Sequence, residues 1–259
     1  MTQTPQWIRQ HISAASNVWL FLDYDGTLDN FAPTPDDILI NNKVVELIKQ
    51  LHAHANIRVT IISGRRLSQI ESLIPVEGVL LAGTYGIELK TAKGDKIERL
   101  QYEKIRPALE ELKLQWRKLL KGHEGFFLED KRWALAIHAR FAEEKEAENI
   151  LLNANAIAEK MIPLGSFRLM RSQRFLEVSP ILANKGKTVK YLLDSYPYPE
   201  ALLIYLGDDD KDEEAFEVIQ DQQGITILVS GKKRKTKADF RIKSPHAARE
   251  WLTKLTNQL

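Results

Sequence analysis

The chain reads as an α/β protein: a doubly wound, Rossmann-like parallel sheet with a smaller α+β domain inserted into it. Three observations predict this. Val18-Trp19-Leu20-Phe21-Leu22 is apolar without interruption, as expected of a strand buried on both faces beneath helices. Similar runs alternate with helical patterns before Tyr102 and again after Pro180, which is the βαβ rhythm of a parallel sheet. Between those points the order becomes helix, two strands, helix, two strands, that of a small antiparallel unit.

Taken in order, Gln6 to Ala15 has the pattern of an amphipathic helix, and Val18 to Leu22 is the first strand. Asn42 to His54 carries Val44, Val45, Ile48 and Leu51 at helical spacing. Arg58 to Ile62 is a second buried-type strand, Arg66 to Leu73 a helix, and Gly78 to Ala82 a third strand. Tyr102 to Lys121 is a long helix that admits Pro107 only near its start and stops at Gly122. Strands are expected at Phe126 to Asp130 and Trp133 to Arg140, a helix at Glu143 to Met161, and further strands at Phe167 to Met170 and Arg174 to Val178. The first rhythm then resumes with a helix from Lys185 to Asp194, a strand from Leu202 to Leu206, a helix from Asp212 to Gln220, a strand from Ile225 to Val229 and a helix from His246 to Leu255. The expected division is a core of 1–101 and 181–259 around an insertion of 102–180.

With 259 residues, 44% of them hydrophobic and 28% charged, the chain is globular and can form one large domain or two of ordinary size. A net charge of +2 sets up no chain-wide field for nucleic acid or membranes. The absence of cysteine excludes disulfides, thiolate metal sites and a cysteine nucleophile. Met1 to Asn17 lacks the apolar core of a signal peptide, and no run approaches membrane-spanning length, so the expectation is a soluble, cytoplasmic protein. The basic run Gly231 to Lys237 contains no aromatic residue to stack on a base and is read as a solvated loop. His138, in an apolar alternating strand, is read as structural.

The chemistry collects where strands end. Asp23 and Asp25 lie two apart in a still-extended chain, so both carboxylates point the same way, and Gly26 permits the sharp turn that follows. Alone, Asp-x-Asp-Gly is as easily an ordinary turn. Ser63 follows the second strand, and Asp208 and Asp209 follow the strand Leu202 to Leu206. In open parallel sheets ligands bind beyond the carboxyl ends of the strands. Lys185 opens a helix, where a cation is mildly unfavourable unless an anion lies nearby. Carboxylates suit a hard cation such as Mg2+, a lysine and a hydroxyl suit phosphate oxygens, and one carboxylate can attack phosphorus.

The motifs Leu22-Asp23-Tyr24-Asp25-Gly26-Thr27-Leu28, Ile62-Ser63-Gly64-Arg65, Asn184-Lys185-Gly186 and Gly207-Asp208-Asp209-Asp210-Lys211-Asp212-Glu213 occur in this order. Through them the chain resembles the haloacid dehalogenase-like phosphatases. Within these it is similar to the trehalose-6-phosphate phosphatases, through Gly83 to Glu88, Leu128 to Lys131, Leu135 to Arg140 and the pair Asp208-Asp209. The resemblance implies a phosphatase core with an inserted cap domain, and Mg2+ as cofactor. It implies Asp23 as nucleophile and metal ligand, and Asp25 as the acid and base, with a metal contact through its carbonyl. Ser63 and Lys185 would bind the phosphoryl group, with Thr27, Gly64 and Arg65 also at the substrate. Asp208 would be the acidic metal ligand, and Asp209 or Asp212 would support it. The cap would close over the site and exclude water.

Among the cap residues, Glu129, Lys131, Arg140 and Glu177 are polar groups in or near apolar strands and suit sugar hydroxyls, although solvent-facing positions give the same pattern. The family pattern has histidine where Tyr85 stands and threonine where Lys211 stands. The implied activity is hydrolysis of trehalose 6-phosphate. Rival readings are a phosphatase for glucosylglycerol phosphate or mannosyl-3-phosphoglycerate, a phosphotransferase or mutase, and a sugar-phosphate-binding module without turnover. The expected partner is a small sugar phosphate, not nucleic acid or membrane, with a trehalose-phosphate synthase as a separate chain of the same pathway.

Overall fold

The computed structural model describes residues 4–31, 39–163 and 165–256. These fall into two compact units, one holding the residues up to Ile97 and from Asn184 onward, the other Glu98–Ala183.

The first unit is built on β1 (Asn17–Leu22), β2 (Ile57–Ile62), β3 (Leu80–Gly83), β4 (Glu88–Lys90), β5 (Lys96–Glu98), β10 (Ala201–Gly207), β11 (Ile225–Val229) and β12 (Phe240–Ile242), in the order β12-β11-β10-β1-β2-β3-β4-β5. Strands β12 through β3 in that order are parallel, while β4 runs antiparallel to β3. Sequence periodicity identified neither β4 and β5 nor β12, because three residues are too short to display a period. The third strand begins at Leu80 rather than Gly78.

Helices cover both faces: α1 (Gln6–Ala14), α2 (Asn42–Ala53), α3 (Leu67–Leu73), α6 (Lys185–Ser195), α7 (Glu213–Asp221) and α8 (Pro245–Thr256). Strand β1 shows why its apolar run is unbroken. Val18, Leu20 and Leu22 join the core that includes residues of α1, α2, α3 and α8, whereas Trp19 and Phe21 join the core that includes residues of α6 and α7. Asp23 continues the second parity, its N–H donating to the Leu206 carbonyl at 3.0 Å. It therefore points to the face on which α6 lies.

The second unit contains α4 (Tyr102–Leu120), α5 (Glu144–Met161) and an antiparallel sheet of β6 (Phe127–Asp130), β7 (Leu135–His138), β8 (Phe167–Ser172) and β9 (Phe175–Pro180), in the order β6-β7-β9-β8. Leu135, Ile137, Leu176 and Val178 pack with Leu109, Leu112 and Trp116 of α4 and Ala147, Leu151 and Ala154 of α5. The opposite parity carries Glu129, Ala136, Glu177 and Met170 in one cross-strand row. Strand β7 is shorter than the expected Trp133 to Arg140, because a turn with Arg132 at φ 68° precedes it. Helix α4 continues through Pro107 in its second turn and forgoes one ladder bond there. Arg106 of α4 holds Asp130 of β6 through Nη1 at 2.7 Å, and this pairing, with Lys113, keeps the Asp130 carboxyl below the usual range although burial pushes it up. No helix among the described residues is long and apolar enough to cross a membrane.

Candidate active site

Strand order brings the chemistry together. Strand β1 lies between β2 and β10, all three parallel, so their carboxyl ends share one edge of the sheet. Those ends carry Asp23, Ser63 and Asp208. The chain winds from β1 toward β2 on one side and returns through β10 on the other, the kind of switch point where open α/β sheets bind ligands.

Lys185, the first residue of α6, is buried beside Asp23 because α6 covers the face to which Asp23 points. Its Nζ donates to Asp23 Oδ1 at 2.7 Å and to Asp212 Oδ1 at 2.6 Å. Asp212, wholly buried, also accepts from Tyr205 Oη at 2.8 Å and from the N–H groups of Asp208 and Asp209 at 3.0 and 3.1 Å. Both its oxygens are thus occupied, and it fixes the loop after β10 to Lys185. Gly207 permits this approach, since a Cβ there would lie 2.2 Å from Asp212 Cγ.

Asp23 Oδ2, by contrast, is buried and has no hydrogen-bond partner. Oxygens of Asp23, Asp208 and Asp212 lie within 4.8 Å of one another. Asp208 leans over Gly26, where φ is +86° and a Cβ would meet Asp208 Oδ2 at 2.3 Å. Burial, together with the charges of Asp23, Asp209 and Asp212, pushes the Asp208 carboxyl up to about 10. Asp23 is also raised, burial outweighing Lys185. An orphaned buried oxygen in a crowd of carboxylates fits a hard divalent cation, which would supply the missing partner and neutralise the repulsion. Asp209 stands outside the three-carboxylate group; its Oδ1 accepts from the Lys211 N–H at 2.9 Å. Of the two acids expected to support Asp208, Asp212 is the one grouped with Asp23 and Asp208.

The carboxylate crowding has a pH signature in the metal-free protein. An unfolded Asp208 releases its proton near 3.8, the folded one near 10, so the folded state holds the extra proton between those values. The stability it confers is complete below about pH 4 and is lost as pH rises toward the folded value. In EDTA, the melting temperature of the wild type is expected to fall relative to that of Asp208→Asn between pH 5 and 9, and saturating Mg2+ should remove the difference in slope. Parallel melting profiles in EDTA would contradict it.

Asp25 is engaged by Arg65 on both oxygens, Nε to Oδ2 and Nη2 to Oδ1, each at 2.7 Å. Ser63, 1% exposed, accepts the Arg65 N–H on Oγ at 3.2 Å. Thr27 is buried within the turn after Gly26, and its hydroxyl has no hydrogen-bond partner. Glu88 accepts from the Leu67 N–H and the Thr84 hydroxyl, both at 3.3 Å, and so caps α3. Arg234, in the run read as a solvated loop, donates to the exposed Asp210 carboxylate at 2.7 Å and reaches the Asp208 carbonyl at 3.4 Å.

Within the second unit, Lys131 Nζ lies 2.6 Å from Glu177 Oε2 and 3.7 Å from Glu129 Oε2. His138 joins this cluster, with Nε2 at 2.8 Å from Glu129 Oε2, a role its apolar sequence setting concealed. Arg140 is exposed beyond the end of β7, its guanidinium 6.0 Å from the centre of the Phe141 ring.

The sequence model of the trehalose-phosphatase family matches residues 21–246, a span that includes every strand-end acid above. The chain belongs to the trehalose-phosphatase family. It is 30% identical over 262 residues to the probable trehalose-phosphate phosphatase H of Arabidopsis thaliana, covering 95% of this chain and 73% of that protein. To the trehalose-phosphate phosphatase of Mycobacterium ulcerans it is 30% identical over 247 residues, covering 93% and 62%. In fold it is similar to the C-terminal domain of Candida albicans trehalose-6-phosphate phosphatase, with a TM-score of 0.82 at 20% identity over 98% of this chain and 96% of that one. The C-terminal domain of a Candida albicans trehalose synthase regulatory protein shares the fold too, with a TM-score of 0.74 at 13% identity over 95% and 96%. Membership in the trehalose-phosphatase family makes the chain a phosphoric monoester hydrolase and implies hydrolysis of a sugar phosphate.

Proposed function

We propose that this trehalose-phosphatase family member hydrolyses trehalose 6-phosphate through an aspartyl-phosphate on Asp23. The observation that carries the reading is the state of Asp23: one oxygen is held by Lys185, the other is buried without a partner among acids, at the edge where Ser63 also ends a strand. Asp23 and Asp208, with the Asp25 carbonyl, would hold Mg2+. That ion, when bound, supplies the charge neutralisation that lets an anionic nucleophile approach an anionic phosphate.

An Asp23 oxygen attacks phosphorus, the bond from phosphorus to the sugar oxygen breaks, and protonated Asp25 gives its proton to the departing oxygen. Water then attacks the same phosphorus, Asp25 takes a proton from it, and the Asp23–phosphorus bond breaks to release phosphate. Lys185 and the Ser63 hydroxyl hold phosphoryl oxygens as charge shifts among them. Arg65 occupies both oxygens of Asp25, so the acid step requires this pair to open; a bound phosphate offers Arg65 another anion. We assign Glu129, Lys131 and Glu177 to the sugar hydroxyls, with the surrounding unit as the cap, and expect action in the cytoplasm on the product of a separate synthase. The presence of Asp23, Asp25, Lys185 and Asp208 favours turnover over a binding-only role, although a regulatory protein shares the fold.

The test is phosphate release, with Mg2+ and with EDTA, from trehalose 6-phosphate, glucosylglycerol phosphate, sucrose 6-phosphate, mannosyl-3-phosphoglycerate and glucose 6-phosphate. The expected result is an EDTA-sensitive rate highest on trehalose 6-phosphate by at least about tenfold, the discrimination of ~1.4 kcal/mol that one lost hydrogen-bonding group readily supplies. Preference for another glycosyl phosphate would keep the mechanism and overturn the substrate, whereas no release from any of them would overturn both.

A further inference from the structure

Three consecutive residues after β3 lie in the left-handed region: Thr84 at φ 46°, Tyr85 at φ 54° and Gly86 at φ 93°. For the two that carry side chains this conformation costs on the order of 1–3 kcal/mol each and persists only where the surroundings impose it. Here the surroundings are the site itself. The Tyr85 N–H donates to the Ser63 carbonyl at 2.8 Å, and the Tyr85 carbonyl accepts from Thr188 Oγ1 of α6, the helix of Lys185, at 2.7 Å. Gly86 lies so close to Thr188 that a Cβ would be 2.0 Å from its hydroxyl, and the Tyr85 ring packs on Gly64 so that a Cβ there would be 2.7 Å from the ring. Tyr85 thus ties the Ser63–Gly64 turn to the helix that presents Lys185.

Its hydroxyl accepts from Lys211 Nζ at 2.8 Å. Lys211 belongs to the loop of Asp208 and Asp209, its N–H donating to Asp209 Oδ1 at 2.9 Å. The charge balance shows what such a cation does. Asp23, Asp208, Asp209 and Asp212 oppose one buried lysine, and a phosphate monoester brings further negative charge to the same edge. Before the substrate arrives, the four ionised carboxylates, Lys185 and a divalent cation leave one net negative charge, which an ammonium held against the Ser63–Gly64 turn cancels.

We infer that Lys211, held in place by the Tyr85 hydroxyl, is a second anion-binding cation of this site, acting with Lys185 on the oxygens of a phosphate monoester. The inference rests on the phosphatase reading only for the identity of the anion. Its test is equilibrium binding of inorganic phosphate by calorimetry in Mg2+, alongside Mg2+ binding itself and turnover of sugar phosphates. Lys211→Met is expected to weaken phosphate binding about tenfold while tightening Mg2+, since a charge-assisted contact is lost and a repelling cation removed. Tyr85→Phe keeps the ring packing and should weaken phosphate about threefold. The double variant should be no weaker than Lys211→Met, because the two act as one unit. Lys211→Arg, which keeps the charge, should remain near wild type and serves if the methionine variant does not fold. Unchanged phosphate affinity in Lys211→Met, or a uniform loss of stability in all variants without change in binding, would make the pair a brace and overturn the inference. Lys211-dependent phosphate binding without turnover of any sugar phosphate would instead overturn the function and leave the anion site standing.

Discussion

Lys185→Met is expected to lower the stability of the protein by about 3–5 kcal/mol, the cost of breaking a buried ion pair on one side, and to reduce turnover by at least about a thousandfold through loss of a phosphoryl-binding cation. The size follows from geometry. One ammonium satisfies both Asp23 Oδ1 and Asp212 Oδ1 with almost no access to water, so methionine leaves two buried carboxylates facing each other. In the metal-free protein protonation relieves them, and in EDTA the destabilisation relative to wild type should therefore shrink as pH falls from 8 to 5. Thermal unfolding at both pH values and steady-state kinetics check this. A variant that melts with the wild type at pH 8 would mean that the Lys185 pairs do not hold α6 to the sheet edge.

Asp23→Asn should show the opposite balance: turnover lower by about 10⁴-fold or more, as for removal of a nucleophile, with the fold intact. Asparagine retains an oxygen for Lys185 and fits the same space. Burial raises the Asp23 carboxyl, and the charges of Asp209 and Asp25 add to this, so the charged form is a burden to the metal-free protein. The metal-free variant should melt at or above the wild-type temperature, a trade of stability for function seen at many sites. Calorimetry in EDTA and single-turnover phosphate release measure the two halves separately. Near-wild-type release would remove Asp23 as nucleophile and direct attention to the other acids.

Much of this was written in the order of residues. The runs of β1, β2 and β10 are largely apolar because both faces of the sheet are covered, and this pattern marks them as central parallel strands. The acids and the serine that follow them are legible because a strand end is where a buried chain can release polar groups to a site. The inserted unit was legible from its change of period. The short strands β4, β5 and β12 were not, having too few residues to alternate.

What the order of residues could not show is which strand ends are neighbours and which polar groups share a partner. In sequence, Asp209 and Asp212 are equal candidates beside Asp208, His138 looks like a structural residue and Arg234 like part of a solvated run. Their contacts depend on partners distant along the chain: Lys185 for Asp212, Glu129 for His138, the Asp208 loop for Arg234. The chain's sequence by itself determined the class of sheet, the insertion and the inventory of reactive groups, since these follow from local periodicity and residue chemistry. Only the tertiary structure decided that Asp23 keeps one oxygen unpartnered while Asp212 uses both of its own, because a carboxylate's hydrogen bonds are allotted by three-dimensional neighbours.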